Sequence, residues 1–198
     1  LANYLLYNRI SSEATGDSVH RLVVSGFSTT RGRVEAPPRA AVRSPFDGLR
    51  LEAVVGDANP VERTVKVAPD GTWVASLPVA AGQTIALRLS AGALAEARST
   101  VVAGTRDHVW PYPFARVVVR IDLPDEEACG GIVRLTQGTA SLSAGVNPLR
   151  RQAEFPAVLP GTYQVSWVPD QAAHLPPQPA IRLDVPADGV EYSLKPTR

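Results

Sequence analysis

The chain has 198 residues, 44% hydrophobic and 20% charged, with 20 Lys and Arg against 19 Asp and Glu. That apolar share builds packed cores and excludes a disordered chain, while the balanced charge leaves no field to hold nucleic acid by counterion release. Eighteen prolines and 15 glycines fall between short apolar runs, as strand-and-turn folds require and helix bundles do not tolerate, so all-β is the expected class.

Cys129 is the only cysteine, which excludes an internal disulfide or a multi-cysteine metal site. No run of about 18 apolar residues is present to span a bilayer as a helix. The chain starts at Leu1 and has no methionine, and we expect a processed or excised piece of a larger protein.

Residues 1–19 read as an N-terminal extension. Its Tyr4, Leu5, Leu6, Tyr7 and Ile10 are an apolar strip too short and too polar for a signal sequence. A helix would place Leu6, Tyr7 and Ile10 on one face, whereas an extended strip would add to a sheet edge of another chain. Partner docking is the expected role. The alternative is packing back onto the first module, or the tail of an upstream domain.

Residues 20–105 read as a first β-sandwich. Leu22, Val24 and Phe27 predict a strand with a bulge near Gly26, followed by a Pro- and Arg-rich connection over 33–45. Leu49, Leu51, Ala53 and Val55 alternate with Arg50 and Glu52 as in a half-buried strand. Val65 and Val67 open another, and Pro69-Asp70-Gly71-Thr72 is a turn predicting a hairpin with Trp73, Ala75 and Leu77. Ile85, Leu87 and Leu89 predict the next strand and Ser99–Val102 the last, with Ala91–Arg98 left between a helical turn and a loop.

Periodicity stops over 106–114, read as a linker stiffened by Pro111 and Pro113. Its Trp110, Tyr112 and Phe114 present either an aromatic platform for sugar or protein, or packing that fixes the angle between modules; packing is the commoner fate. Trp110 and Tyr112 join the N-terminal strip as candidate partner-binding residues.

Residues 115–198 read as a second β-sandwich, with strands through Val117, Val119 and Ile121, through Val133 and Leu135, through Phe155, and through Tyr163, Val165 and Trp167. Ile181, Leu183 and Val185, then Asp188-Gly189, then Val190, Tyr192 and Leu194 predict a closing hairpin. The Leu77-Pro78 and Leu159-Pro160 corners each deliver the chain into a strongly alternating strand, and a duplicated module is the economical reading.

His20, His108 and His174 are far apart, and no nucleophile elbow, P-loop, His-Glu-x-x-His or dinucleotide fingerprint occurs. A non-enzyme without cofactor is expected. Asp122, Asp125, Glu126 and Glu127 would suit calcium, but without a spaced Asp ladder a solvated loop is expected and no metal is assigned. Cys129 has no cationic sequence neighbour and reads as an inert thiol.

Asp70-Gly71-Thr72-Trp73 with Leu77-Pro78, and Phe155 with Leu159-Pro160-Gly161-Thr162-Tyr163-Gln164-Val165, resemble the carboxypeptidase-regulatory-like modules. That family has a transthyretin-like (prealbumin-like, Ig-like) sandwich of about seven strands, and Cna-B type repeats look similar. The second half departs from the pattern in lacking an Asp-Gly before Phe155. Neither Lys66 nor Lys195 lies in a first strand, where Cna-B isopeptide chemistry would need a lysine. The resemblance implies two tandem non-catalytic structural or adhesive modules of an exported protein or a surface or phage-like particle, binding other protein chains. The alternative is a carbohydrate-binding accessory of a secreted hydrolase.

Overall fold

The computed structural model describes residues 26–36, 46, 48–56, 60–124, 129–171 and 175–197. They form fourteen strands and, among the described residues, no α-helix. The first half holds β1 (Ser28–Val34), β2 (Arg50–Val55), β3 (Val61–Val65), β4 (Thr72–Leu77), β5 (Thr84–Ser90), β6 (Glu96–Val102) and β7 (His108–Trp110). The second holds β8 (Ala115–Ile121), β9 (Ile132–Gln137), β10 (Ala140–Gly145), β11 (Gln152–Val158), β12 (Gly161–Val168), β13 (Ile181–Val185) and β14 (Val190–Leu194).

Each half is a sandwich of two sheets, β4-β1-β7 with β3-β2-β5-β6, and β11-β8-β14 with β10-β9-β12-β13. The second half repeats the first strand for strand. In both, the seventh strand pairs parallel with the first, Gly32 facing His108 and Val117 facing Val190. The Leu77-Pro78 and Leu159-Pro160 corners occupy equivalent places, between β4 and β5 and between β11 and β12.

Period-two alternation builds the cores. Trp73, Ala75 and Leu77 of β4 point inward while Thr72, Val74 and Ser76 point out, and β12 does the same with Tyr163, Val165 and Trp167. Each large apolar side chain so buried contributes about 1.5–3 kcal/mol. Two buried polar side chains are bonded: the Thr30 hydroxyl accepts the Gly104 N–H at 3.1 Å. The Gln178 side chain likewise donates to the carbonyls of Pro176 and Thr197 and accepts from the Thr197 backbone and hydroxyl.

Several expectations change. Leu22 and Val24 lie outside the described residues, Phe27 is exposed, and β1 starts at Ser28. Its inward positions include Ser28 and Thr30, so its hydrophobic signal is faint. The turn at Pro69–Thr72 forms, with the Ala68 N–H on the Thr72 carbonyl at 2.8 Å and Gly71 at a φ of 83°. It does not make a hairpin: β3 and β4 belong to different sheets, joined only by a Val67–Trp73 bridge. Asp188-Gly189 also turns, yet β13 pairs with β12 and β14 crosses to β8. A short turn fixes the reversal, whereas the sheet the next strand joins is decided by which edge still needs a partner. Finally, the segment read as a linker contains β7, a strand of the first sandwich.

Candidate interaction surfaces

Trp110 and Phe114 are buried in the first core, together with Phe46 and with Ala157 from β11 of the second half. Tyr112 is half-buried, 5.5 Å edge-on from Phe114 and 6.4 Å from Phe46, and its burial raises the phenol pKa. On the other side, Leu94 from the β5–β6 turn is buried in the second core. That turn is closed by the Ala91 N–H on the Ala95 carbonyl at 2.8 Å. The Leu94 carbonyl accepts the Leu159 N–H at 3.0 Å, and the Leu159 carbonyl accepts the Tyr163 hydroxyl at 2.6 Å. The halves therefore exchange side chains and a backbone hydrogen bond, where a linker alone would leave them to hinge.

Of the candidate partner-binding residues only Trp110 and Tyr112 are described. Tyr4, Leu5, Leu6, Tyr7 and Ile10 lie outside the described residues. Trp110 is 7% exposed and Trp167 fully buried, so neither offers a ring face to a sugar, and Tyr112 shares its rings with the junction. His20 and His174 also lie outside the described residues. His108 sits in β7 against Trp73, ring centroids 6.0 Å apart; its Nε2 and the Trp73 indole N–H are buried without partners among the described residues. Burial lowers the His108 pKa by disfavouring the cation. Of the acidic cluster only Asp122 is described, beside Lys195. Among the described residues no group of three His, Cys, Asp or Glu side chains converges. Cys129 is buried, and desolvation raises its thiol pKa.

The outer faces differ. Across β2, β5 and β6 an ion-pair ladder runs Arg50–Glu52–Arg88–Glu96–Arg98, with N–O distances of 2.9, 3.3, 3.7 and 2.9 Å. The matching face of β9, β12 and β13 carries Arg134 and one Arg182–Asp184 pair at 3.3 Å, and leaves Ile132 and Val168 exposed side by side. Beyond β10, Asn147 Oδ1 accepts the Leu149 and Arg150 N–H groups, and the turn displays Leu149 at 95% exposure.

Sheet edges expose unpaired N–H and C=O groups, and proteins blunt them with charge, proline or brevity. β3 carries Glu62 and, on its core-facing side opposite Ala53, Arg63. β6 carries Glu96 and Arg98, β13 Arg182 and Asp184, β14 Glu191 (paired with Arg120), and β11 Glu154 and Pro156. β7 is three residues long and runs into Pro111. β4 is uncharged, but the Val67–Trp73 bridge and the Ala68–Thr72 hydrogen bond cover its start. β10, Ala-Ser-Leu-Ser-Ala-Gly, has no charge and no proline along six residues. Reading for hydrophobic runs missed it; the signal present was the two-residue Gly138-Thr139 turn between Gln137 and Ala140, with Gly138 at a φ of 58°.

No protein-family model matches the chain, and no curated protein matches it. Among solved structures it is similar to the TIE protein of Bacillus anthracis (11% identity, TM-score 0.33, 85% of this chain and 33% of that one). It is also similar to a streptococcal ancillary pilin (10%, 0.33, 86% and 62%) and to BcpA, the major pilin subunit of Bacillus cereus (10%, 0.36, 86% and 69%). The chain thus spans about a third and under two thirds of the first two. At scores of this size neither fold nor function follows from the likeness; the fold rests on the chain's own ladders.

Proposed function

We propose that the chain is a non-catalytic structural or adhesive tandem of a larger exported or surface assembly, acting by protein–protein contacts. The observation that carries this reading is the junction. Leu94 seated in the second core, Ala157 in the first, and the Leu159–Leu94 hydrogen bond make two sandwiches move as one spacer. The Leu77-Pro78 and Leu159-Pro160 corners support the carboxypeptidase-regulatory-like resemblance, with a first module from 20 that extends past 105 to take in β7, a second at 115–198 and residues 1–19 as a docking segment. The carbohydrate alternative lacks the exposed Trp110 or Trp167 platform that would favour it.

Cross-linking mass spectrometry over a concentration series, beside a glycan array, tests the reading. Intermolecular cross-links rising with concentration and no glycan retention are expected. A chain that stays monomeric throughout and is retained by one glycan class would replace the assembly role with sugar binding.

A further inference from the structure

Resting on that assembly reading, we propose that residues Tyr4–Ile10 of one copy add as a fifth strand to the free edge of β10 in a second copy. The edge is the starting point. Alternate residues of β10 turn their N–H and C=O groups away from β9, and no hydrogen bond meets them among the described residues. On the core-facing side Ala140, Leu142 and Ala144 are only half-buried, although they pack against the second core. A further strand would finish covering them. On the outer side Gly145, opposite Ile132, has no side chain and leaves Ile132 uncovered from the β10 edge.

The strip matches this edge in length, size and polarity. It is seven residues against six, with one charge, Arg9. In extended form Tyr4, Leu6 and Ile10 share one face and Leu5 and Tyr7 the other, so both faces carry large apolar groups. The edge offers small residues, Ala, Ser and Gly, which leave room for them. Main-chain pairing would supply affinity and the alternate side chains register. The equivalent edge, β3, is closed to the same strip by Arg63, which stands in the middle of its core-facing side.

Reach permits the exchange. Residues 11–25 separate the strip from Gly26, and at about 3.3–3.6 Å per extended residue they span on the order of 50 Å. Because strip and edge are different surfaces, each copy donates once and accepts once, so the contact either closes as a reciprocal two-fold exchange or a larger ring, or continues as a chain.

Sedimentation velocity on the full chain tests this with two variants, Leu142→Arg on the edge and Leu6→Asp in the strip. The parent is expected to self-associate, and each variant alone to do so at least tenfold more weakly. Mixed in equal amounts, the two should form a 1:1 heterodimer and nothing larger, since one retains an intact strip and the other an intact edge. Near-UV circular dichroism from Trp167 and Tyr163 checks that Leu142→Arg folds, and Ser143→Glu, which leaves the core untouched, should weaken association in the same direction. A monomeric parent overturns the proposal. So does loss of association in Leu142→Arg but not in Leu6→Asp, which would mean edge-to-edge pairing of β10 with itself, and so does failure of the mixture to associate. In these last two cases intermolecular cross-links in the parent would leave the assembly reading standing without this contact.

Discussion

The two four-stranded sheets share one topology and differ at one edge and in how much charge covers the outer face. In the first, Arg63 and Glu62 guard the edge and an ion-pair ladder from Arg50 to Arg98 covers the outer face. In the second, the equivalent edge is Ala-Ser-Leu-Ser-Ala-Gly and the face shows Ile132 and Val168 beside Arg134, with one Arg182–Asp184 pair on β13. The backbone pattern is shared and the equivalent edges differ: β3 carries Glu62 and Arg63, β10 no charge. The difference lies in side chains that the core does not need, which is why the two can diverge without cost to the fold.

The cores allow the largest effects. Trp73 and Trp167 are both buried, but the Trp167 indole donates to the Gly130 carbonyl at 3.0 Å whereas the Trp73 indole N–H has no partner among the described residues. Replacing either by alanine should destabilise by about 3–5 kcal/mol. Phenylalanine separates them: Trp167→Phe should cost about 1–2 kcal/mol more than Trp73→Phe, because only the former gives up a hydrogen bond. Urea unfolding of the four variants measures this, and equal costs for the two phenylalanine variants would remove the distinction.

The edges come next. Arg63→Leu removes the inward charge of β3 and should create self-association through the first sandwich, at least tenfold tighter than the parent in a variant whose β10 is already blocked by Leu142→Arg. An unchanged sedimentation profile would mean that Arg63 is not the guard. Smaller still, Glu52→Gln weakens the pairs with exposed Arg50 and half-buried Arg88; Glu52 itself is only 14% exposed, so the loss should be about 1 kcal/mol and shrink only in part in high salt. A loss that does not depend on salt would point to packing instead.

His108 has no histidine counterpart in β14, and it gives the first sandwich a pH response near neutrality that no described histidine gives the second. Its pKa is lowered below the ordinary 6.5 in the folded chain, so the unfolded chain takes up the proton first. Stability is complete above about pH 6.5 and falls as the pH drops from there, until the folded-state pKa is passed. Thermal melts between pH 7.5 and 5 should show this slope and His108→Phe should flatten it. The lowered Asp70, Glu154 and Asp184 pKa values act in more acid solution, their contribution being lost as the pH falls from the ordinary carboxylate range towards the lowered folded-state values.

Strands with strict alternation and large residues were legible from sequence, β4, β5, β8 and β12 above all, and so was the repeat, through its Leu-Pro corners. Three kinds of information were not. β1 and β10 place Ser, Thr, Ala and Gly where a core signal is sought, so their hydrophobic pattern is weak. The sheet joined by β4 or β14 depends on which distant edge is vacant, a property of the whole sandwich. The three-residue β7 is shorter than any periodicity can register, and its role comes from pairing with β1. The candidate surface suffered most from this, because an edge open to docking is built from the residues that make a strand hard to see.

The parallel pairing of first and last strands also decides how each sandwich would carry tension. Because β1 and β7, and likewise β8 and β14, run side by side in one direction, the chain enters a sandwich at one end and leaves at the other. Pulled by those ends, the two strands slide past each other along their length. Their hydrogen bonds are strained together in shear, where antiparallel terminal strands would unzip one bond at a time. A fold that puts these strands at its ends is suited to transmitting pull through a series of like units.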